Sequence, residues 1–230
     1  MTVLVTAAFA FFLLHRLVSA GPLRAPLVQR FGEPTFLKLF GAASLACLSW
    51  LTLGYWLAST GQPPSRWATG NISWLIWPLE FLATVMIAAG VLARNPGTAG
   101  QLDAISEPDV VRGVLRITRH PFLWGMTIMS IGHVIADPDV ATLMYFGTLA
   151  ALAATGTVSI DQKRRSRLGG EWLQFAAKTS NIPFAAIIQG RQTLRLREIG
   201  WRPLYVSIGL FALVMIAHIL LGGSPTFRAG

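Results

Sequence analysis

Apolar residues in this chain are gathered into long runs rather than spread with the periodicity of a soluble fold. They fall at 3–20, 36–58, 72–93, 121–136, 140–160 and 204–222, with Arg, Asp, Gly and Pro collected between them. A helix that crosses a bilayer needs roughly 20 predominantly apolar residues, about 17 to 25. The pattern therefore predicts an all-α integral membrane protein of about six transmembrane helices, forming one domain over 1–230. The fourth and fifth runs are separated only by Asp137, Pro138 and Asp139, a charged, helix-stopping connection that predicts an antiparallel hairpin. The first run lacks a basic leader and a small-x-small cleavage pattern, its charges His15 and Arg16 coming at its end, so it is read as a retained span rather than a signal peptide.

Two polar stretches exceed a simple connection. Between Asp109 and His120, Val110, Val111, Val114 and Ile117 share one helical face and Arg112, Arg116 and Arg119 the other, which predicts an amphipathic helix lying on the membrane. The second stretch, 161–203, opens with "DQKRRSR", continues through "LGGEWLQFAAKTS" as a short amphipathic helix, and reaches "NIPFAAIIQGR", a proline-broken apolar segment too brief to span. Together they predict an amphipathic cytoplasmic cap.

Composition agrees with the pattern: 53% of residues are hydrophobic, 13% are charged, and the mean hydropathy is +0.55, beyond the range of soluble domains. The net charge of +9 raises the question of nucleic acid, and its distribution answers it. Arg16, Arg24, Arg30 and Lys38 flank the first loop, Arg94, Arg112, Arg116 and Arg119 the third, and nine more lie between Lys163 and Arg202, leaving Arg66 and Arg228 for the opposite side. That asymmetry follows the positive-inside rule with both termini outside, as in the inner membrane of a bacterium, and indicates lipid headgroups rather than a nucleic acid as the partner of the arginines. The single cysteine, Cys47, excludes an internal disulfide.

Four histidines lie in or at the rim of the spans: His15 in the first, His120 and His133 bounding the fourth, and His218 late in the sixth. Ionisable groups in hydrocarbon are costly, so each is a functional candidate; the plainer alternative is a neutral imidazole hydrogen-bonded to a neighbour. Glu80 is the one carboxylate amid the spans, and no HExxH, nucleophile elbow, P-loop or glycine-rich dinucleotide motif occurs. Isolated histidines on different membrane helices fit axial ligation of haem iron, which asks only for imidazoles and an apolar slot. In "RITRHP" the proline starts a helix and leaves Arg119 and His120 at its mouth, a place for a haem propionate, a lipid phosphate or the carboxylate of S-adenosylmethionine. The alternative there is that Arg119 pairs with Asp161 or Glu171 and fixes the fold.

"LHRLVSAGPLR" at 14–24, "FGEPTF" at 31–36, "RITRHP" at 116–121, "SIGH" at 130–133, "DQKRRSRLGGEW" at 161–172 and "KTSNIPFAAIIQGR" at 178–191 occur in this order over nearly the whole chain. In them the sequence resembles the NnrU family of membrane proteins and, within the same group, the 15-cis-zeta-carotene isomerases of plastids and cyanobacteria. The resemblance implies a haem b protein whose reduced iron promotes cis-trans isomerisation of a polyene. By position it implies His15 and His133 as metal ligands, with Arg119, His120 and His218 as further cofactor-binding candidates. It also implies an isoprenoid-like membrane substrate and, for bacterial members, a redox role linked to nitrite and nitric oxide metabolism. Two positions depart from the isomerase pattern: Ser130 stands where a cysteine acts as an exchangeable ligand, and "TGTVSID" at 155–161 lacks a histidine pair.

Depth along the helices offers other pairings. At about 1.5 Å per residue, His15 sits roughly 8 Å from the inner end of its span and His133 about 18 Å from Pro121, which would join His15 to His120 and His133 to His218 unless the helices tilt. The RHP element and the Gly-x-x-Trp and Ile-Pro features of the cap are also similar to isoprenylcysteine and phospholipid methyltransferases, implying a related helical scaffold. Two further functions follow: a methyltransferase using S-adenosylmethionine on a lipid-like substrate, with Glu171 near the cofactor, and a non-catalytic assembly factor for a respiratory complex.

Overall fold

The computed structural model describes residues 1–19, 21–60 and 73–220, with the side chains of Ser73, Trp74, His218 and Ile219 outside the description. Every regular element among the described residues is helical. Helix α1 (Thr2–Leu13) runs on into a π-helical turn, Leu14–Ser19. It is followed by α2 (Arg24–Phe31), α3 (Glu33–Ser59), α4 (Ser73–Leu92), α5 (Pro121–Ala136), α6 (Val140–Leu168), α7 (Gly170–Lys178), α8 (Ala185–Ile188) and α9 (Trp201–Leu220). Four helical stretches among the described residues are long and apolar enough to cross a membrane: Thr2–Ser19, Glu33–Ser59, Leu75–Leu92 and Val140–Leu168. Pro121–Ala136 and Trp201–Ala217 are apolar but shorter; a 16-residue helix rises only about 24 Å against a hydrocarbon core of about 30 Å.

Two expectations need correction. The stretch from Asp109 to His120 is not an amphipathic helix on the bilayer: only Gly113–Arg116 is helical, and that as a 3-10 turn. Arg112 is extended (φ −137°, ψ 162°) and Gly113 takes a positive φ of 57°, so the helix cannot propagate through them. The apolar side chains serve the protein rather than lipid. Val114 and Leu115 are buried with Ala89, Trp172 and Phe175, and Val110 and Val111 pack against that cluster. The second correction concerns "DQKRRSR", which is no loop but the last turns of α6; there Arg164 Nη2 donates to the Thr98 carbonyl (2.9 Å). The amphipathic helix expected beyond it is α7, which buries Trp172 and Phe175.

The chain forms two compact units, each built from separate stretches: Met1–Ala68 with His133–Leu152, and Thr69–Gly132 with Ala153–Gly230. In the first, α1 lies directly on α3. A Cβ on Gly54 would come within 2.8 Å of the Leu4 Cα, so the two backbones touch there, and Leu4, Ala7, Ala8, Phe11 and Leu51 are buried around the contact. Small residues permit such approach in lipid, where no hydrophobic force drives helices together. The connection 137–139 is non-helical as expected. Asp139 caps α6: its Oδ1 accepts from the amides of Ala141 (2.6 Å) and Thr142 (3.1 Å). The Thr142 hydroxyl donates to Asp139 Oδ2 (2.5 Å) and accepts from the Tyr55 hydroxyl (3.1 Å).

In the second unit α4 carries two neighbours. Gly90 and Gly125 bring the backbones of α4 and α5 together, since a Cβ on Gly90 would lie 2.5 Å from the Phe122 nitrogen and one on Gly125 2.8 Å from the Ala83 carbonyl oxygen, while a Cβ on Gly132 would lie 2.2 Å from the side-chain Oε1 of Glu80. The Ser207 hydroxyl of α9 reaches the Thr84 carbonyl oxygen of α4 at 3.3 Å, and Phe211 meets Trp77 and Phe81 edge-on.

Gly54→Val should lower stability by about 1 to 3 kcal/mol through overpacking, and Gly125→Val likewise. Gly41→Ala, which meets nothing within 4 Å, should leave it unchanged. Thermal unfolding in detergent, followed by size-exclusion chromatography, reads the difference.

Candidate functional site

The sequence motif "TRHP" is organised around one carboxylate. Thr118, Arg119 and His120 precede α5, where Pro121 removes an amide that the first helical turn would leave unsatisfied. The Arg119 guanidinium donates through Nε to Asp161 Oδ1 (2.9 Å) and Oδ2 (3.1 Å), and its Nη2 also donates to Oδ2. His120 Nε2 lies 2.8 Å from Asp161 Oδ1, and Asn181 Nδ2 donates to Oδ2 at 3.1 Å. Of the two acidic partners the sequence offered to Arg119, Asp161 is the one it meets, while Glu171 is exposed on α7.

His120 is almost wholly buried, its side chain 2% exposed. Burial pushes its pKa below the ordinary 6.5; the hydrogen bond to Asp161 opposes that shift and the Arg119 cation adds to it. The imidazole is therefore neutral near pH 7, and because the ionised carboxylate only accepts, its proton sits on Nε2.

Backbone bonds extend the lock. The Arg119 amide donates to the Ser180 carbonyl (2.9 Å) and the Phe184 amide to that of Ile117 (2.9 Å), while the Thr118 hydroxyl donates to the Asn181 carbonyl (2.5 Å). Asn95 closes the other side: its Nδ2 donates to the Arg119 carbonyl (3.0 Å) and its Oδ1 accepts from the Gly97 amide (2.8 Å). Asn95 and Asn181 were missed by sequence reasoning; the readable signal was "RNPG", an Asx-turn pattern that holds its own backbone. A parallel clasp joins the 3-10 turn Gly113–Arg116 to Leu196–Glu198, where Glu198 accepts from Arg116 Nε (2.7 Å), the Gly113 amide (3.1 Å) and Arg195 (3.4 Å). The Arg116 bond is the main cause holding the Glu198 carboxyl down at about 2.

His15 and His133 both belong to the first compact unit. His15 sits in the π-helical turn, a local widening of the helix that recurs at functional sites. The sequence carries no signal for such a turn that the apolar pattern could reveal. His15 Nδ1 bonds the Phe11 carbonyl oxygen at 2.9 Å, which places the proton on Nδ1 and leaves the Nε2 lone pair as the ring's basic site. Phe11 and Phe40 flank the ring, the latter edge-on at 5.3 Å. The half-buried His133 stacks on Phe146 with ring centroids 4.2 Å apart and planes 19° from parallel, and Phe146 is held edge-on by Tyr55 and Tyr145. His218 belongs to α9, with its side chain outside the described residues. Among the described residues no group of three or more His, Cys, Asp or Glu is placed to hold a bare metal ion.

Removing Asp161 by Asp161→Ala leaves a nearly buried guanidinium without its carboxylate and should cost about 3 to 5 kcal/mol, whereas Glu171→Ala should cost little. Since His120 is depressed, its contribution is fully present above pH 6.5 and declines as pH falls below that value and the unfolded chain takes up the proton first. His120→Gln should flatten the stability profile in that interval; thermal unfolding as a function of pH checks both outcomes.

The family described as NnrU protein matches residues 3–226. The chain is 27% identical over 216 residues to the chloroplastic 15-cis-zeta-carotene isomerase of Arabidopsis thaliana, covering 86% of this chain and 54% of that protein. It is 28% identical over 212 residues to the isomerase of the same name from Zea mays, covering 84% and 54%. It thus spans about half the length of these relatives. No solved structure matches it significantly. With the match running through both compact units and every motif described above, the chain belongs to the NnrU family.

Proposed function

We propose that this chain is a haem b membrane protein that isomerises a cis double bond in a polyene, with His15 and His133 as the residues that would hold the haem iron. The observation that carries the reading is the state of His15. A metal-binding histidine ordinarily donates its second ring N–H to a carbonyl or carboxylate, which fixes tautomer and ring orientation. His15 has that arrangement through Phe11, within a π-helical turn and among aromatic rings. His133 lies in the same compact unit, its ring plane defined by Phe146. The donor set fits haem, which asks two imidazoles of the protein and otherwise an apolar slot.

Bound haem would supply reversible one-electron exchange, lowering the order of a polyene double bond so that it rotates without net oxidation. The protein's own part is positioning. Phe11 and Phe146 hold the imidazoles, apolar α1 and α3 exclude water, and a carotenoid or similar isoprenoid enters from lipid. A role in nitrite and nitric oxide metabolism would use the same iron. In this reading all six apolar helices cross a bacterial inner membrane with both termini outside, an orientation that the arginine distribution supports.

Arg119 and His120 act here as positioning residues at the entrance to α5. Their turn onto Asp161 weighs against the methyltransferase reading, in which the same groups would face S-adenosylmethionine.

Protein purified in detergent from cells supplied with haem should show a Soret band that shifts on reduction, sharp reduced α and β bands, and a pyridine spectrum of haem b. His15→Ala and His133→Ala should abolish haem binding, with His120→Ala weakening it less. A colourless wild-type protein would overturn the proposal. Haem occupancy unchanged in both ligand variants would overturn the ligand assignment, and loss in His218→Ala instead of His133→Ala would transfer the second ligand to His218.

A further inference from the structure

The segment between α7 and the 3-10 turn Leu196–Glu198 has an unusual division of polar and apolar groups. Ile182, Phe184 and Ile188 are 62%, 42% and 83% exposed, and Leu194 and Leu196 continue the exposed apolar surface. Most of its backbone amides, by contrast, are engaged by the protein. The amides of Phe184, Ala185 and residues 187–192 all donate to backbone carbonyls within the cap, and Pro183 has no amide to satisfy. Arg191 donates to the Ala177 carbonyl (2.6 Å) and the Thr179 carbonyl (2.8 Å). Gln192 accepts from Arg116 (2.6 Å) and Asn181 donates to Asp161 (3.1 Å).

A backbone that meets hydrocarbon must satisfy its own hydrogen bonds, since lipid supplies no partners. Most amides of this segment meet that requirement while its largest apolar side chains turn outward. Phe184 does so at φ 65°, a left-handed conformation uncommon for a bulky residue; the bonds from Arg119 to Ser180, Phe184 to Ile117 and Thr118 to Asn181 hold it there. The flanks have the composition of a membrane border. Lys178, Arg195, Arg197 and Arg202 are exposed cations, and α9 begins with exposed Trp201 and Tyr205, the aromatic pair typical of the headgroup level.

We propose that the turn 182–188 is a membrane-dipping tip, seated at the acyl-chain border of the leaflet that receives the start of α9, with the flanking cations on anionic phospholipid headgroups. The tip enters lipid without spanning it, and anchors the cap to the bilayer at a second point besides the helices. This inference is independent of haem and of the isomerase reading.

A nitroxide placed by Ile188→Cys, in a Cys47→Ala background and in liposomes of phosphatidylcholine and phosphatidylglycerol, tests it through collision with oxygen against a water-soluble nickel chelate. Gln174→Cys, on an exposed polar position of α7, is the aqueous reference, and Ile182→Cys is a second probe of the tip. The expected result is oxygen dominating at 188 and 182 and the nickel chelate dominating at 174. Nickel accessibility at 188 and 182 equal to that at 174 would put the tip in water and overturn the proposal. Exclusion of both reagents would also overturn it, by showing the tip covered by protein such as a second copy of the chain.

Discussion

A single carboxylate, Asp161, meets three residues from two segments of the second unit at the point where α6 passes from apolar to basic sequence. It accepts from Arg119 and His120 at the entrance to α5 and from Asn181 beyond α7. Burying a charge is tolerable only when its partners are supplied together, so these segments have to arrive in one arrangement. Arg119, Thr118 and Ile117 then fix the backbone at 180, 181 and 184, and Asn95 fixes Arg119 from the α4 side. The most motif-like stretch of the sequence, Arg-His-Pro, is accounted for by this lock.

The histidines consequently divide. His120 is neutral, buried and engaged through Nε2 with a carboxylate, whereas His15 is oriented through Nδ1 by a backbone carbonyl, which leaves Nε2 as an electron-pair donor. The first arrangement ties the ring into the fold, and the second is the one on which the proposed ligand role of His15 rests. That contrast in hydrogen bonding distinguishes His15 from His120, which their spacing along the chain did not.

Much of the fold was legible because bilayer crossing imposes a run length that composition displays directly: α3, α5 and the start of α6 fall where the apolar runs fall. Elements governed by tertiary partners were not legible. The valines and arginines of 110–119 have helical spacing, yet Gly113 at positive φ and the pull of Glu198 and Asp161 on Arg116 and Arg119 give a 3-10 turn packed on Trp172 and Phe175. The continuation of α6 to Leu168 was hidden by its charge. At the site, the sequence nominated His15, His133, Arg119, His120 and His218 and one partner that Arg119 does meet, Asp161. The π-helical turn, Asn95 and Asn181 depend on which carbonyls and amides meet in space, and no run or period along the chain encodes that.

The His15 arrangement is proposed to serve a haem that turns over a polyene. The direct measurement is chromatographic separation of isomers after haem-loaded, reduced protein is incubated with 15-cis-zeta-carotene in darkness, beside His15→Ala treated identically. Conversion of the 15-cis bond to trans by the wild-type protein, lost in the variant, is the predicted result. Haem-loaded wild-type protein that leaves the 15-cis isomer unchanged would contradict the claim.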